Sequence, residues 1–432
     1  MGVPARRLAD WLELQQRIHP RSIELGLARV SAVARALGVD RPGVPTWIVG
    51  GTNGKGSTVA LLEAMLAAAG VVTGAFTSPH LVRYNERVRI GGVEATDAEL
   101  VGAFEAIERA RGTTTLTYFE FSALAALLVF RRRGVAAQVL EVGLGGRLDA
   151  VNLVDADVAV LCSIGHDHHE WLGPTLDDIG REKAGIFRAG RPAVLGSAAL
   201  PASVWDEIAR IGARPLLAGR DFSWAHTRDA GDPGNGGNDS VRWDYRSAAR
   251  SITGLPRPAL AGDIQFDNAA TAIAALDAGP IAVPDAAIRA GLGRVRLPGR
   301  FQIVPGEVEW ILDVAHNLPA AAAFAHHLAA RPVAGRTIAV AGFLDDKDVA
   351  AIGRLLAPAI DAWVVASLPP PRGLPAASVV ERLPPGAAPA VMCDSVDLAC
   401  ARAQAIARPG DRVVAFGSFH VVGPVLEWLR LY

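Results

Sequence analysis

The chain has 432 residues, 50% of them hydrophobic and 20% charged, enough apolar material for two or three packed domains. A formal net charge of -1 removes any whole-chain electrostatic case for nucleic acid or an anionic membrane surface. The three cysteines, Cys162 in the apolar run VAVLCSI and Cys393 and Cys400 near the C-terminus, form no C-x-x-C pair, so neither a disulfide framework nor a zinc site is expected.

In chain order, MGVPARRLADWLELQQ has paired arginines followed by a charged amphipathic segment, not an apolar leader, and Arg6 breaks the myristoylation pattern. Leu8, Trp11, Leu12 and Ile18 share one helical face. TWIVGG then reads as a buried strand, and 55–69 as a helix turning Val59, Leu62 and Leu66 inward. Apolar strands follow at VVTGAF, AAQVLEVG, DVAVLCSIG and PAVLGS, with helices between them, one opened by a Thr96…Glu99 capping box. The apolar run SALAALLVF at 122–130 is too short to cross a bilayer. Short apolar strands alternating with helices predict an α/β fold with a doubly wound, mostly parallel sheet. HTRDAGDPGNGGNDS at 226–240 reads as an exposed loop between two strands of a small antiparallel element.

RVRLPGRFQIV at 294–304 marks a boundary, because Pro298-Gly299 closes the helical run 284–292 and a new alternation begins. Strands at VEWILDVA, RTIAVAGF, DAWVVAS and DRVVAFGS, spaced by helices near 318–330, 345–357 and 395–407, repeat the pattern in a smaller Rossmann-like domain. The expected division is a P-loop domain over 1–296 and a C-terminal α/β domain over 297–432. A cytoplasmic monomer is the expected state.

The stretch WIVGGTNGKGST carries the first chemistry. In the common phosphate loop, G-x-x-x-x-G-K-[ST], the hydroxyl directly follows the lysine. Here Gly56 intervenes between Lys55 and Ser57. Gly51, Gly54 and Gly56 let the backbone present its N–H groups to phosphate oxygens, and Lys55 adds a point charge. Beyond later strands come Ser78, Pro79 and His80, then Glu141 inside an apolar strand, Asp149 past a second Gly-rich turn, and Asp167, His168, His169 and Glu170. In an open α/β sheet such strand ends line the ligand crevice. A buried Glu141 needs a cation or strong donor. Lys183 in REKAGIF reads, from its neighbours alone, as solvated or paired with Glu182. LPGRFQIV and LDVAHNLPAAAAF set Arg300, Asp313, His316 and Asn317 at the edge of the second domain, and Asp345, Asp346, Lys347 and Asp348 sit at another strand-to-helix turn, where an aspartate is as often a simple N-cap.

GTNGKGS, TSPHLVRYNERVRI, EVGLGGRLDAVN, GHDHHEWLG, REKAGIF, LPGRF, DVAHN and DKD occur here in the order seen in the folylpolyglutamate synthase family of the Mur ligase superfamily, which the chain resembles over nearly its whole length. The resemblance implies an ATP-dependent ligase with Mg²⁺, one ion or two. It places ATP on Gly51, Thr52, Asn53, Gly54, Lys55, Gly56, Ser57, Asn268, Arg300 and Asp313, and metal on Ser78, Glu141 and His168. It makes Lys183 a carbamylated, carboxylate-like metal ligand, and sets His316 near the domain interface and the γ-phosphate. The substrates it implies are dihydropteroate, reduced folates and L-glutamate, with Arg83, Thr117, Leu148, Asp149 and Ala150 on the substrate side. GGRLDAVN and the Thr117 segment resemble the bifunctional bacterial enzymes. A synthase that only extends folate tails, a cell-wall precursor ligase and a non-ligating P-loop ATPase are the alternatives.

Overall fold

The computed structural model describes residues 6–21, 23–227 and 241–432. The first sheet is built from α1 (Leu8–Ile18), α2 (Ala28–Leu37), β1 (Thr46–Gly50), α3 (Lys55–Ala68), β2 (Thr73–Phe76), β3 (Val88–Ile90), β4 (Val93–Glu94), α4 (Asp97–Arg111), α5 (Tyr118–Arg133), β5 (Ala137–Glu141), β6 (Val158–Leu161), α6 (His169–Leu172), α7 (Leu176–Ala184), β7 (Pro192–Leu195), α8 (Ala202–Ile211) and β8 (Arg214–Leu217). Its order is β4-β3-β2-β5-β1-β6-β7-β8, antiparallel only at the β4-β3-β2 edge. Strand β1 is buried along its whole length and pairs in parallel with β5 and β6, so the loop after it opens at the centre of the sheet. Two apolar clusters, one on each face, make this a three-layer α/β/α unit.

The helix periodicity is only half of what α3 does. Val59, Leu62 and Leu66 are buried as expected, but so are Leu61 and Met65, because α9 (Ile264–Asp277) and α10 (Asp285–Arg294) cover the side away from the sheet. A helix apolar all round is a core helix. The α10 contact is close enough that a Cβ on Gly291 would lie 2.7 Å from the Met65 backbone. The Thr96 hydroxyl accepts the Glu99 N–H and opens α4 with the expected reciprocal box.

Between β8 and α9 stands a three-stranded antiparallel sheet, β9 (Phe222–His226), β10 (Arg242–Ser247) and β11 (Ser251–Pro256), ordered β11-β10-β9. It is the expected small antiparallel element; most of its 226–240 connection lies outside the described residues.

The second sheet contains β12 (Gln302–Val304), β13 (Glu309–Leu312), α11 (Leu318–Ala329), β14 (Thr337–Ala341), α12 (Val349–Leu356), β15 (Ala362–Ala366), α13 (Ala376–Arg382), β16 (Ala390–Cys393), α14 (Val396–Ile406), β17 (Arg412–Phe416) and α15 (Phe419–Trp428). Its order is β12-β13-β17-β14-β15-β16, parallel except for the β12–β13 hairpin, again with a core on each face.

Candidate active site

The loop after β1 is held open by its glycines and by the strand beside it. Gly51 (φ 143°) and Gly54 (φ 88°) occupy backbone regions that side chains rarely adopt, and a Cβ on Gly54 would sit 2.7 Å from the Asn268 Oδ1. Thr52 fastens the loop to the segment after β6: its N–H donates to the Ser163 carbonyl at 2.8 Å and its hydroxyl donates to that of Gly165 at 3.1 Å. Lys55 begins α3, and its Nζ donates to the Gly51 and Thr52 carbonyls at 3.0 and 3.1 Å. Gly56 has a structural reason: its Cβ position lies 3.7 Å from Glu141 and 3.5 Å from the Arg300 guanidinium, so a longer side chain there would enter the space between those charges.

Glu141 is the last residue of β5 and is 4% exposed. Its Oε2 accepts the Ser78 N–H at 3.1 Å. Burial raises its carboxyl pKa, opposed by Lys55, the Ser78 amide, Arg300 and Arg89. The required cations are therefore present. The Ser78 loop is itself rigid: Glu86 accepts the Leu81, Val82 and Arg83 N–H groups, each at 2.7 Å. Arg89 ties that loop to α3 by donating to Glu63 at 2.8 and 3.0 Å, to the Thr77 hydroxyl at 2.9 Å and to the Glu86 carbonyl at 2.9 Å. Sequence reading passed over Arg89; an arginine in a strand facing a helical glutamate was its only signal.

After β6, His168 takes a left-handed backbone (φ 52°) at the start of α6. Burial, Lys347 and Lys183 bring its imidazole down to about 4 despite the neighbouring Asp167, so it is neutral at pH 7 and free to act as a ligand. Lys183, near the end of α7, is 5% exposed and donates from Nζ to the Gly51 carbonyl at 3.1 Å. The solvated or Glu182-paired reading of this lysine does not hold, because Glu182 turns outward and accepts from Arg147 at 2.7 Å. Burial first, and then Lys55, lower its pKa to about 7.

The second sheet contributes the opposite wall. Asp313 follows β13 and accepts the Phe301 and Ala315 N–H groups, both at 2.8 Å, which holds Phe301 in a left-handed turn (φ 46°). Arg300 lies beside it with its guanidinium 5.3 Å from the Phe419 ring centre. His316 places Nδ1 2.7 Å from the Val314 carbonyl; a carbonyl only accepts, so Nδ1 carries the proton and Nε2 turns to Asp167 at 3.8 Å. Asp167 accepts from Lys347 at 2.9 Å and from Asn317 at 2.9 Å, and Asp167, His168 and Asp346 offer ligand atoms within 4.8 Å of one another.

Between the walls lies a cleft of about 350 Å³ lined by residues 51–57, Ser78, Glu141, His168, Lys183, Asn268, Arg300, Asp313 and His316. Every expected nucleotide, metal and catalytic residue meets there. Less polar side chains also line it, Ala261 and Ile264 from one side and Pro319, Ala323 and Phe324 from the other. Asn268 and Gln265 line it too, joined by a 3.0 Å hydrogen bond.

The substrate-side residues do not line this cleft. Thr117 is the N-cap of α5, its hydroxyl accepting the Glu120 N–H, and Phe119 two residues on packs over Gly143, which does line it. Asp149 is 3% exposed, and its carboxylate accepts the Gly143, Leu144 and Val151 N–H groups at 2.8–3.0 Å. That carboxylate organises the loop. The Leu148 carbonyl accepts the Gly26 N–H, and Ala150 is buried. These four form a second neighbourhood adjoining the cleft at Gly143. Arg83 stands apart, exposed, paired with Glu94 and 5.7 Å from the Tyr432 ring centre.

Comparison with known proteins agrees with this geometry. Residues 49–198 match the Mur ligase middle domain, and residues 299–419 match the Mur ligase, glutamate ligase domain. A dihydrofolate synthase/folylpolyglutamate synthase of Escherichia coli (strain K12) is 44% identical over 423 residues, 98% of this chain and 96% of that one. Its counterpart from Haemophilus influenzae is 37% identical, over 96% of each chain. The solved E. coli FolC in complex with DHPP and ADP superposes with a TM-score of 0.92 at 43% identity, covering 100% of this chain and 99% of that one. The bifunctional Yersinia pestis enzyme complexed with AMPPNP and Mn ion gives 0.89 at 42% identity, over 100% of both. With two mostly parallel sheets facing one cleft and these relatives spanning its length, the chain belongs to the dihydrofolate synthase/folylpolyglutamate synthase family of Mur-type ligases.

Proposed function

We propose that this protein is an ATP-dependent, ADP-forming ligase that joins L-glutamate to dihydropteroate and to the glutamate tail of reduced folates through an acyl phosphate. The observation that carries the reading is the meeting of Lys55, Ser78, Glu141, His168 and Lys183 with Arg300, Asp313 and His316 in one cleft. Phosphoryl transfer needs alignment and charge neutralisation more than covalent help from protein. The loop N–H groups and Lys55 hold the phosphates, and Arg300 reaches them from the other wall. The less polar lining between Ile264 and Phe324 accepts the base.

The donor set fits a hard divalent ion: a buried carboxylate with a single N–H donor, a hydroxyl and a neutral imidazole. Mg²⁺ held by Ser78, Glu141 and His168 would neutralise charge on the transferring phosphate oxygens. Lys183 supports carbamylation, since its amine is half unprotonated near pH 7 and so attacks CO₂, forming an N–C bond and releasing a proton. The acid produced is a further oxygen ligand in place of a buried cation. His316, with Nδ1 fixed on Val314, keeps Nε2 toward the cleft, where the incoming glutamate amine must lose a proton.

Activity on both acceptors is favoured by the ordered neighbourhood of Thr117, Leu148, Asp149 and Ala150, which gives a pterin-bearing substrate a wall beside Gly143. Arg83, exposed and paired with Glu94, is a contact for the longer glutamate tail. Among the described residues no helix is long and apolar enough to cross a membrane; we read the protein as a cytoplasmic monomer with domains divided at 296/297. Purified protein given ATP, Mg²⁺ and L-glutamate should convert dihydropteroate and tetrahydrofolate to amide products seen by mass spectrometry. Turnover of tetrahydrofolate alone would reduce the reading to a tail-extending synthase. ATP hydrolysis with no amide product would reject it.

A further inference from the structure

Asn317 is the N-cap of α11, its Oδ1 accepting the Ala320 N–H at 3.0 Å. Serine, threonine or aspartate would cap that helix as well. The amide does more. It meets the side chain of Asn53 in the phosphate loop edge to edge, with Asn53 Nδ2 donating to Asn317 Oδ1 at 3.0 Å and Asn317 Nδ2 donating to Asn53 Oδ1 at 3.2 Å. The same Nδ2 donates to Asp167 at 2.9 Å, and Asp167 accepts Lys347 from the second sheet at 2.9 Å. Asn317 is 6% exposed, and its partners Asn53 and Asp167 are half-buried at the cleft wall.

Asn53 is therefore gripped twice. Its own domain holds the main chain: the Ser163 hydroxyl accepts the Asn53 N–H at 3.1 Å and donates to its carbonyl at 3.0 Å. The other domain holds the side chain. Capping explains one oxygen of Asn317; neither of the bonds its Nδ2 makes has a use within the second domain.

We propose that Asn317 is a positioning residue that couples docking of the second domain to the shape of the phosphate loop, acting through Asn53 and Asp167. This rests on the ligase reading of the cleft. With the second domain docked, Asn53 is fixed between Thr52 and Gly54, and the loop N–H groups are set for phosphate. Undocking removes the Asn53 side-chain partners together. By linkage the effect runs both ways, so nucleotide on the loop favours the docked domain.

The test is a double-mutant cycle of Asn317→Ser, which keeps the cap, and Asn53→Ala, read by ADP affinity in calorimetry and by kcat. Asn317→Ser should melt within about 2 °C of wild type, since the cap remains. It should weaken ADP binding at least about fivefold and lower kcat, and ADP should compact it less than wild type in small-angle scattering. Asn53→Ala should show a similar loss, with the double variant within about twofold of the worse single. Asn317→Asp is a second cap-preserving variant that sets a carboxylate against Asp167, and it should lose more than the serine. Wild-type-like ADP affinity in Asn317→Ser, or losses that multiply in the double variant, would overturn the proposal. Because ADP binding requires no amide product, a failure of ligation in the wild type would remove the ligase reading while leaving the coupling measurable.

Discussion

Replacing Glu141 by Gln separates function from stability. The side chain keeps its shape and its acceptor for the Ser78 N–H, so no cavity forms and no backbone donor is orphaned. What disappears is one negative charge, 4% exposed, facing Lys55, Arg300 and Arg89. Loss of a preorganised charge at a phosphoryl-transfer site is worth about 2.7–4 kcal/mol, so kcat should fall by about 10²–10³. Stability should move the other way or stay still, because burial raises the Glu141 pKa above 4.5 more strongly than its cations lower it. The sign follows from linkage: above pH 4.5 the unfolded chain ionises before the folded one, so this group's contribution to stability declines as pH rises toward its folded value. Glutamine removes that decline, and the melting temperature of the variant relative to wild type should increase as pH rises above 4.5 in nucleotide- and metal-free buffer. Steady-state ADP release and calorimetric melting provide both numbers. A kcat within about fivefold of wild type, or a variant melting several degrees lower at pH 8, would refute the reasoning.

Other outcomes follow from the same geometry. Arg89→Met strands Glu63 as an uncompensated buried charge and should destabilise by about 3–5 kcal/mol, while Arg89→Met/Glu63→Met should recover part of that in urea unfolding; a double variant no better than the single contradicts the pair's role. Asp149→Asn must turn an NH₂ group against at least one of the three N–H groups its carboxylate accepts, and should cost about 2–4 kcal/mol, read as a lower unfolding midpoint. For Lys183, the folded pKa near 7 against an ordinary 10.5 means the unfolded chain holds an extra proton across that window. Stability in CO₂-free buffer should thus rise with pH between these values, and Lys183→Met should lose this slope; ¹³C-bicarbonate should give a carbamate resonance in wild type only.

Much of this site could be read along the chain because its parts sit at strand ends, each announced by a local signal. The glycines around Lys55 mark a loop, Glu141 is an acid in an apolar run, and the Thr96 box marks a helix start. Lys183 was misjudged from its neighbours because residues 182 and 183 point about 100° apart on a helix; Glu182 faces Arg147 while Lys183 enters the core. Contacts that depend on two distant segments left no local trace. The Asn53–Asn317 pair spans 264 positions. Burial of α3 on every side likewise depends on α9 and α10, some 200 residues downstream.

The central claim is that the cleft makes a carboxyl group electrophilic by phosphorylating it, and isotope transfer tests this most directly. With dihydropteroate labelled by ¹⁸O in its carboxylate, each turnover should deliver one labelled oxygen to inorganic phosphate, detected by mass spectrometry. Amide product accompanied by unlabelled phosphate would contradict the account.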